Sequence, residues 1–505
     1  MKAETYYLET FGCQMNVLDS ELVAGQLRRL GLVPVSEPPR ADVVLFNTCS
    51  VRRHAEDKVL SRLGQLKALK RRRPEMIIAV IGCMAERMGA DLLAQTPQVD
   101  LVCGPGELDR LPTLISEIRA GGGPRVALSG TGRGRRDDAD RRAADDRIEL
   151  LDLARTPVPG AAVLQSYVRV QRGCDKFCTY CVVPFVRGPE RSRPAANIVA
   201  EVTRLAEDGC REVTLLGQTV NSYRFADDHQ TVSLARLLER VQAVPGIDRV
   251  RFVTSFPADW DDDIFRVMRD YPKVMPYLHI PAQSGSDHIL RAMCRGYTVA
   301  EYLRLMDAAR QYVPGIGLAG DFIVGFCGET AEDFRATVAL VQRVEYQNIF
   351  VFKYSPRPGT SAERVKDDDV PLDVKAARNN ELLAVQSEIA HRHKRTLVGG
   401  TCEVLVEGYS KVAQRAQRAA EAEQPCEESA PEFAGPAGTA RGDQLVGRTP
   451  TDQIVVFDGR PEHVGALVRV RIEAVSPLTL FGRLEAVVAP PRTPARGALP
   501  ILGPD

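Results

Sequence analysis

Three observations predict that this 505-residue chain has an α/β fold. Short apolar runs alternate with amphipathic stretches in two successive blocks, the pattern of parallel sheets covered by helices. A charged segment bounded by Gly and Pro separates the blocks. Beyond the second block the pattern changes to short strands with turns. The predicted order is an N-terminal doubly wound parallel-sheet domain (1–120), a linker (121–163), a central partial (β/α)6 barrel (164–394), a small all-β barrel (395–490) and a tail (491–505).

In the first block YYLETFGC (6–13), ADVVLFNTC (41–49) and MIIAVIGC (76–83) are each an apolar run ending in Cys. Helix-like LDSELVAGQLRRL, RRHAEDKVLSRLGQLKAL and AERMGADLLAQ follow them in turn. In such sheets the carboxyl ends of neighbouring strands border the crevice where ligands bind. Cys13, Cys49 and Cys83 all stand at such ends. GGGP, the run RGRRDDADRRAADDR and TPVPG mark the linker, expected to be partly mobile.

Six strands restart the alternation: SYVRVQR, EVTLLGQ, RVRFVTS, VMPYLHIP, GLAGDFIVG and IFVFKYS. Thr330 and Asp333 have the spacing of a capping box for the helix after GFCGE. Six βα units, where a full barrel has eight, leave the barrel open, with chemistry expected at the carboxyl ends of its strands. After a helical segment (374–396), TCEVLVEGYS, TDQIVVFDG, ALVRVRIEAVS and FGRLEAVV predict the small barrel. An Ala/Glu/Gln/Pro-rich insertion (412–440) reads as a solvent loop, and the Pro-rich end as a frayed tail.

Composition excludes several classes. Lys+Arg and Asp+Glu are both 66, so the chain is no polybasic binder and any nucleic-acid contact must be local. With 44% hydrophobic and 26% charged residues it is ordinary for a globular protein. MIIAVIGCMA is far too short to span a bilayer, and MKAETYYLETFGC lacks a signal-peptide layout. A cytoplasmic protein without a membrane partner is expected, so the twelve cysteines are not a disulfide scaffold.

Spacing separates those cysteines. RGCDKFCTYC places Cys174, Cys178 and Cys181 on one tight loop directly after the first barrel strand. Three thiolates there suit three corners of a cubane iron–sulfur cluster and leave one iron open for a substrate or cofactor. A four-ligand zinc site lacks its fourth nearby Cys or His. Cys13, Cys49 and Cys83 are open to two readings on spacing alone, ligands or core.

The stretch VQRGCDKFCTYCVVPFVRGPERSRP on a six-strand barrel resembles the radical S-adenosylmethionine (SAM) superfamily, and within it the methylthiotransferase family. LLGQTVNSY, LHIPAQSGS, DFIVGFCGETAEDF and YSPRPGT extend the resemblance, as do FGCQMN, FNTC and IGCMAER near the start. GRTPTDQIVVFDG is similar to that family's RNA-binding TRAM module. The resemblance implies two 4Fe-4S clusters, a SAM cluster on Cys174, Cys178 and Cys181 and an auxiliary one on Cys13, Cys49 and Cys83. It also implies SAM as cofactor, a flavodoxin- or ferredoxin-type reductant and a tRNA anticodon loop as partner. Gly217, Gln218, Ser255 and Gln283 become SAM-contact candidates at the second to fourth strand ends, with Asn221 similar. Turn or capping roles compete with this, and Ser284 fits a helix N-cap.

The implied reaction converts N6-isopentenyladenosine beside the anticodon to its 2-methylthio derivative. The C2–H of adenine is neither acidic nor electrophilic, so a radical from SAM would have to attack it. Two clusters must then face one cavity, and the N-terminal domain should pack over the open barrel. LLGQTVNSY and CVVPFVRG favour this substrate over threonylcarbamoyladenosine in tRNA or a ribosomal-protein aspartate. A non-catalytic iron–sulfur RNA-binding protein is the alternative from another class, disfavoured by two three-Cys sites. Arg469, Arg471 and Arg483 on the small barrel are candidates for RNA contact. Arg28, Arg29, Lys67 and Lys70 to Arg73 read first as solvated helix faces. Cys103, Cys210, Cys294, Cys327, Cys402 and Cys426 read as structural.

Overall fold

The structure, a computed structural model, describes residues 4–51, 53–130, 138–155, 163–227, 230–421 and 444–492. The N-terminal sheet contains β1 (Thr5–Phe11), β2 (Val33–Pro34), β3 (Val43–Thr48), β4 (Ile77–Gly82), β5 (Leu101–Cys103) and β6 (Arg125–Ala127). All are parallel, in the order β2-β1-β3-β4-β5-β6. Every residue of β3 and β4 is buried, as continuous apolar runs covered on both faces require. Leu18, Leu22 and Leu27 of helix Gln14–Arg29 cover one face. Val59 and Leu63 of helix Arg53–Arg72 cover the other. The strand order reverses between β1 and β3, so Cys13 and Cys49 flank the switch point where such sheets open a binding crevice.

All six expected barrel strands form: β7 (Gln165–Arg169), β8 (Glu212–Leu216), β9 (Arg249–Val253), β10 (Tyr277–His279), β11 (Gly317–Val324) and β12 (Asn348–Lys353). β7, β8 and β9 pair in parallel, as do β10, β11 and β12, and a Val250–Val274 bridge joins the two sets. Val168, Leu215 and Phe252 face the outer helices. Tyr167, Leu216 and Val253, on the opposite face, instead join the cluster formed by Met15, Leu18 and Leu22 of the N-terminal domain. That domain therefore packs against the inner face of the first three barrel strands, where the sequence placed it over the open barrel. The Thr330–Asp333 capping box is present.

The structure corrects the linker. β6 belongs to the sheet, and residues Asp138–Leu153 form a helix whose Ile148 and Leu151 are buried in the N-terminal core. Its Glu149 and Asp152 meet Arg172, Arg193 and Arg169 of the barrel (2.6–3.5 Å). The end of the charged run is held in the same way, Arg147 pairing with Asp109 (2.9 Å).

The last unit is a closed barrel of β13 (Thr401–Tyr409), β14 (Gln444–Arg448), β15 (Ile454–Asp458), β16 (Leu467–Val475) and β17 (Thr479–Ala489), ordered β13-β14-β15-β17-β16. The expected loop at 412–440 begins instead as helix Lys411–Glu421, with Ala413 buried, and its remainder lies outside the described residues. Of the tail, Arg492 is pinned to Asp248 (2.8 Å) rather than frayed, and 493–505 lie outside the described residues. The barrel docks on the amino ends of the central strands. Arg211 donates to the Gly465 carbonyl (3.0 Å), Arg249 to the Arg448 carbonyl (2.8 Å) and Arg251 to the Thr449 carbonyl (2.7 Å). Among the described residues no helix is long and apolar enough to cross a membrane.

Candidate functional site

The three N-terminal cysteines meet because buried amides fix the strand ends that carry them. Cys13 is the N-cap of helix Gln14–Arg29, and its N–H donates to Asn16 Oδ1 (3.4 Å). Asn16 Nδ2 donates to Asn47 Oδ1 (3.0 Å), and Asn47 Nδ2 returns to the Asn16 carbonyl (2.8 Å) and Ser20 Oγ (2.9 Å). Asn47 lies two residues before Cys49, so this fully buried pair sets one cysteine against the other. Gly82, directly before Cys83, has φ +91°, and a Cβ there would stand 2.4 Å from Asn47 Oδ1. Only glycine fits that approach.

Electrostatics distinguish these thiols. The Cys13 thiol is lowered to about 6 because the Cys49 thiol donates to it; burial opposes this and the Arg187 guanidinium assists. Cys49 is pushed well up by giving that hydrogen bond and by burial. Burial raises Cys83 as well, against the pull of Arg187.

The second trio sits on the loop after β7, held by backbone bonds from three sides. The Cys174 N–H donates to the Gly188 carbonyl (3.1 Å), Thr179 N–H to Met293 (3.0 Å) and Ala362 N–H to Thr179 (2.8 Å). Gly173, at φ +70°, lies where a Cβ would overlap the Gly188 and Pro189 carbonyls. Burial raises Cys174 to about 11 and Cys181 to about 12. Buried Arg295 donates to Cys178 Sγ (3.4 Å) and to the Pro281 carbonyl (3.1 Å), and stacks 4.6 Å from the Phe256 ring centre.

The trios lie on either side of the domain junction, and of their six cysteines only Cys174 lines the cavity that opens there. Cys83 packs on Val182 and Val186, residues directly downstream of Cys181. Arg187 Nε donates to Cys83 Sγ (3.2 Å). Arg357, in the loop after β12, donates to the Val51 carbonyl (2.9 Å) two residues beyond Cys49. A cavity of about 270 Å³ opens at this junction, lined by Cys174, Met15, Phe177, Phe185, Arg187 and Ile148 among others.

The other candidates divide. Gln218, Ser255 and Gln283 each carry a buried polar atom (Oε1, Oγ and Oε1) with no protein partner, which is what a site for a small polar ligand leaves open. Gln283 is also strained at φ +69°, its backbone clamped by Asp321 O (2.8 Å) and Ile323 N (2.9 Å). Gly217 lies against Gln171, where a Cβ would come 3.1 Å from Oε1. Asn221 is not free for a ligand: its amide bonds both Phe256 N (2.6 Å) and Phe256 O (2.8 Å). Ser286, not Ser284, caps the helix Asp287–Ala292, and Ser284 faces Thr337. Arg471 pairs with Glu485 (2.6 Å) and Arg483 with Glu473 (3.5 Å), so neither is an unengaged cation for RNA. Lys70 and Arg73 pair with Asp100 and Asp42 (2.8 Å each). Cys103, Cys210 and Cys327 are buried, Cys294 is exposed and Cys402 lies between; Cys426 lies outside the described residues. Asn16, Asn47 and Arg187 lie within the stretches FGCQMN, FNTC and CVVPFVRG, but neither their roles nor that of Arg295 could be read there, because their partners are distant in the chain.

A parallel-sheet domain with three strand-end cysteines, packed into a six-strand barrel with a C-x3-C-x2-C loop, defines a radical SAM methylthiotransferase. Residues 5–104 match the family described as "Uncharacterized protein family UPF0004", 168–341 the radical SAM superfamily and 437–484 the TRAM domain. The chain is 46% identical over 484 residues to the tRNA-2-methylthio-N(6)-dimethylallyladenosine synthase of Rhodopirellula baltica, covering 96% of each chain. The enzymes of the same name from Syntrophotalea carbinolica and Sulfurihydrogenibium sp. are each 40% identical, over 93% and 95% of this chain and 97% and 99% of theirs. The solved radical SAM methyltransferase TsrM from Kitasatospora setae superposes with a TM-score of 0.48 at 15% identity, over 72% of this chain and 77% of that one. The chain belongs to the tRNA-2-methylthio-N(6)-dimethylallyladenosine synthase family, whose radical SAM enzymes use SAM and 4Fe-4S clusters.

The residues fit those groups. Each trio offers three free thiols. Among the described residues no three side chains are set around a single metal ion. The orphaned oxygens of Gln218, Ser255 and Gln283 fit a polar cofactor in the barrel.

Proposed function

We propose that this chain methylthiolates C2 of N6-isopentenyladenosine beside the anticodon of tRNA. Cys174, Cys178 and Cys181 hold the SAM-binding cluster, and Cys13, Cys49 and Cys83 hold the auxiliary one. The observation that carries this reading is the packing of Cys83 on Val182 and Val186, immediately after Cys181, because the reaction needs both clusters at one cavity. When bound, the SAM cluster and SAM would supply the radical that an unactivated C–H bond demands, a second SAM would supply the methyl group, and the auxiliary cluster would present the sulfur to be transferred.

The chain's own residues supply orientation and exclusion of water. Gln218, Ser255 and Gln283 aim polar atoms at the cofactor, and their burial keeps competing water away. Phe177, exposed at the cavity, and Phe185 lie edge to face 6.3 Å apart and offer apolar surface to a base and its prenyl group. The TRAM barrel engages the first residues of β7 and β9. It therefore sits roughly 17 Å, a five-residue strand, from the cysteine loop and would grip tRNA away from the target base. A one-electron donor of flavodoxin or ferredoxin type completes the reading.

Anaerobic assays test it. Cys174→Ala should abolish 5′-deoxyadenosine formation, and Cys49→Ala should permit SAM cleavage yet stop sulfur insertion. Full methylthiolation by Cys49→Ala would overturn the auxiliary assignment. Nucleoside mass spectrometry of tRNA from a strain lacking the protein should show isopentenyladenosine accumulating. Accumulated threonylcarbamoyladenosine would instead assign the other substrate.

A further inference from the structure

The auxiliary trio is built on the N-terminal domain, yet a side chain of the barrel domain reaches it. Arg187 ends the five-residue helix Val183–Arg187 that follows Cys181, and its side chain is 6% exposed. Nε donates to Cys83 Sγ (3.2 Å), while Nη2 forms a close ion pair with Asp19 Oδ2 (2.8 Å) that lacks hydrogen-bond alignment. Asp19 is itself completely buried and binds Arg169 through its other oxygen (3.1 Å). Arg169 continues to Asp152 (3.0 Å). Asp19 lies on the helix capped by Cys13, so one anion fixes Arg187 relative to two of the three cysteines. A buried guanidinium held by a carboxylate charge on one side and a thiol on the other has little freedom to turn away.

We infer that Arg187 is a positioning residue for the auxiliary cluster, completing from the barrel domain a site whose three thiolates come from the N-terminal domain. The inference rests on the assignment of Cys13, Cys49 and Cys83 as cluster ligands. A fixed cation and a hydrogen bond on a ligating sulfur stabilise the more negative, reduced form of a cluster, so its reduction potential depends on Arg187. The domain interface then sets the chemistry of the auxiliary site as well as its location. The second trio has its own buried donor, Arg295 on Cys178 (3.4 Å), so the two clusters can be tuned separately.

The test uses the full chain carrying Cys174→Ala, Cys178→Ala and Cys181→Ala, which isolates the auxiliary site, reconstituted anaerobically. Potentiometric titration followed by electron paramagnetic resonance reads its potential. Arg187→Gln should lower the ratio of reduced to oxidised cluster at a fixed potential about tenfold, equivalent to about 59 mV for a one-electron couple. Arg187→Lys, which keeps the charge, should recover part of the shift. Asp19→Asn leaves Arg187 in place but unclamped and should speed loss of the cluster to a chelator. If the parent chain, which retains Cys13, Cys49 and Cys83, binds no iron, the cluster assignment itself is wrong. If it binds iron, and potential and chelator resistance are unchanged in Arg187→Gln and Asp19→Asn, the role given to Arg187 is overturned. Should Arg187→Gln not fold, an unchanged potential in Arg187→Lys together with unchanged chelator loss in Asp19→Asn overturns it equally.

Discussion

Asp152→Asn removes an anion at the centre of a buried ion network. Asp152 is 1% exposed and takes Arg169 Nη2 on one oxygen (3.0 Å) and Arg172 Nη2 on the other (2.6 Å), with Arg193 at 3.6 Å. Burial opposes its ionisation, yet Arg169, Arg193 and Arg172 hold its carboxyl far below the usual range. The Asn variant keeps the shape but leaves three buried guanidinium groups short of one charge, which costs about 3–5 kcal/mol. For a cooperative unit of 150–250 residues that corresponds to a melting-point drop of roughly 6–20 °C. The sign with pH follows from the lowered folded value. The contribution is complete above the unfolded carboxyl value of about 3.9 and is lost as pH falls toward the folded one. Wild type and Asp152→Asn should therefore converge in strongly acidic solution. Calorimetry of the two proteins, with Asp145→Asn as control, is the assay. The Asp145–Arg191 pair is half-exposed at 3.7 Å, so the control should change by less than about 1 kcal/mol. An Asp152→Asn effect no larger than that control would refute the argument that residues 138–153 are a structural element joining the two domains.

Three further outcomes follow from the site. Gly82→Ala forces a β-carbon to 2.4 Å from Asn47 Oδ1 and 2.9 Å from the Thr48 carbonyl at φ +91°. It should cost about 1–3 kcal/mol and reduce bound iron toward about four atoms per chain; unchanged iron would contradict the role given to the Asn16–Asn47 pair. Gln283→Ala and Ser255→Ala should each weaken SAM binding about tenfold, one hydrogen bond's worth, with iron content unchanged by analysis of the same samples. Equal SAM affinity by calorimetric titration would remove these residues from the cofactor site. In reduced, metal-free protein at neutral pH, Cys13, lowered to about 6, should alkylate with iodoacetamide before Cys174 and Cys181, which stand at about 11 and 12. Equal rates by peptide mass spectrometry would contradict the thiolate assignment.

Much of this was legible because the signals were local. VVLFNT and IIAVIG are strands covered on both faces, and a continuous apolar run survives in sequence. By contrast β2, β5 and β6, at two or three residues each, are too short to carry a period. The C-x3-C-x2-C loop announces itself within eight residues, from Cys174 to Cys181, whereas Cys13, Cys49 and Cys83 are linked only by their place at strand ends. The described part of the run RGRRDDADRRAADDR was illegible as structure because its partners, Asp109 for Arg147 and Arg191 for Asp145, lie on other segments, as do Arg169, Arg172 and Arg193, which hold Glu149 and Asp152 just beyond it. Charge in sequence reads as solvation until the counter-charge is located. The cap at Ser286 rather than Ser284 shows the opposite limit, since both serines fit the local rule and tertiary contact with Thr337 decides. The roles of Arg187 and Arg295 are hidden for the same reason as the ion network: an arginine acquires its meaning from the sulfur it reaches.

Iron and sulfide analysis of anaerobically reconstituted protein probes the two-cluster account most directly. The full chain should hold about eight irons. The variant lacking Cys13, Cys49 and Cys83 and the variant lacking Cys174, Cys178 and Cys181 should each hold about four. A wild-type value near four, or either triple variant retaining the full complement, would contradict the claim that two separate thiolate trios serve one reaction chamber.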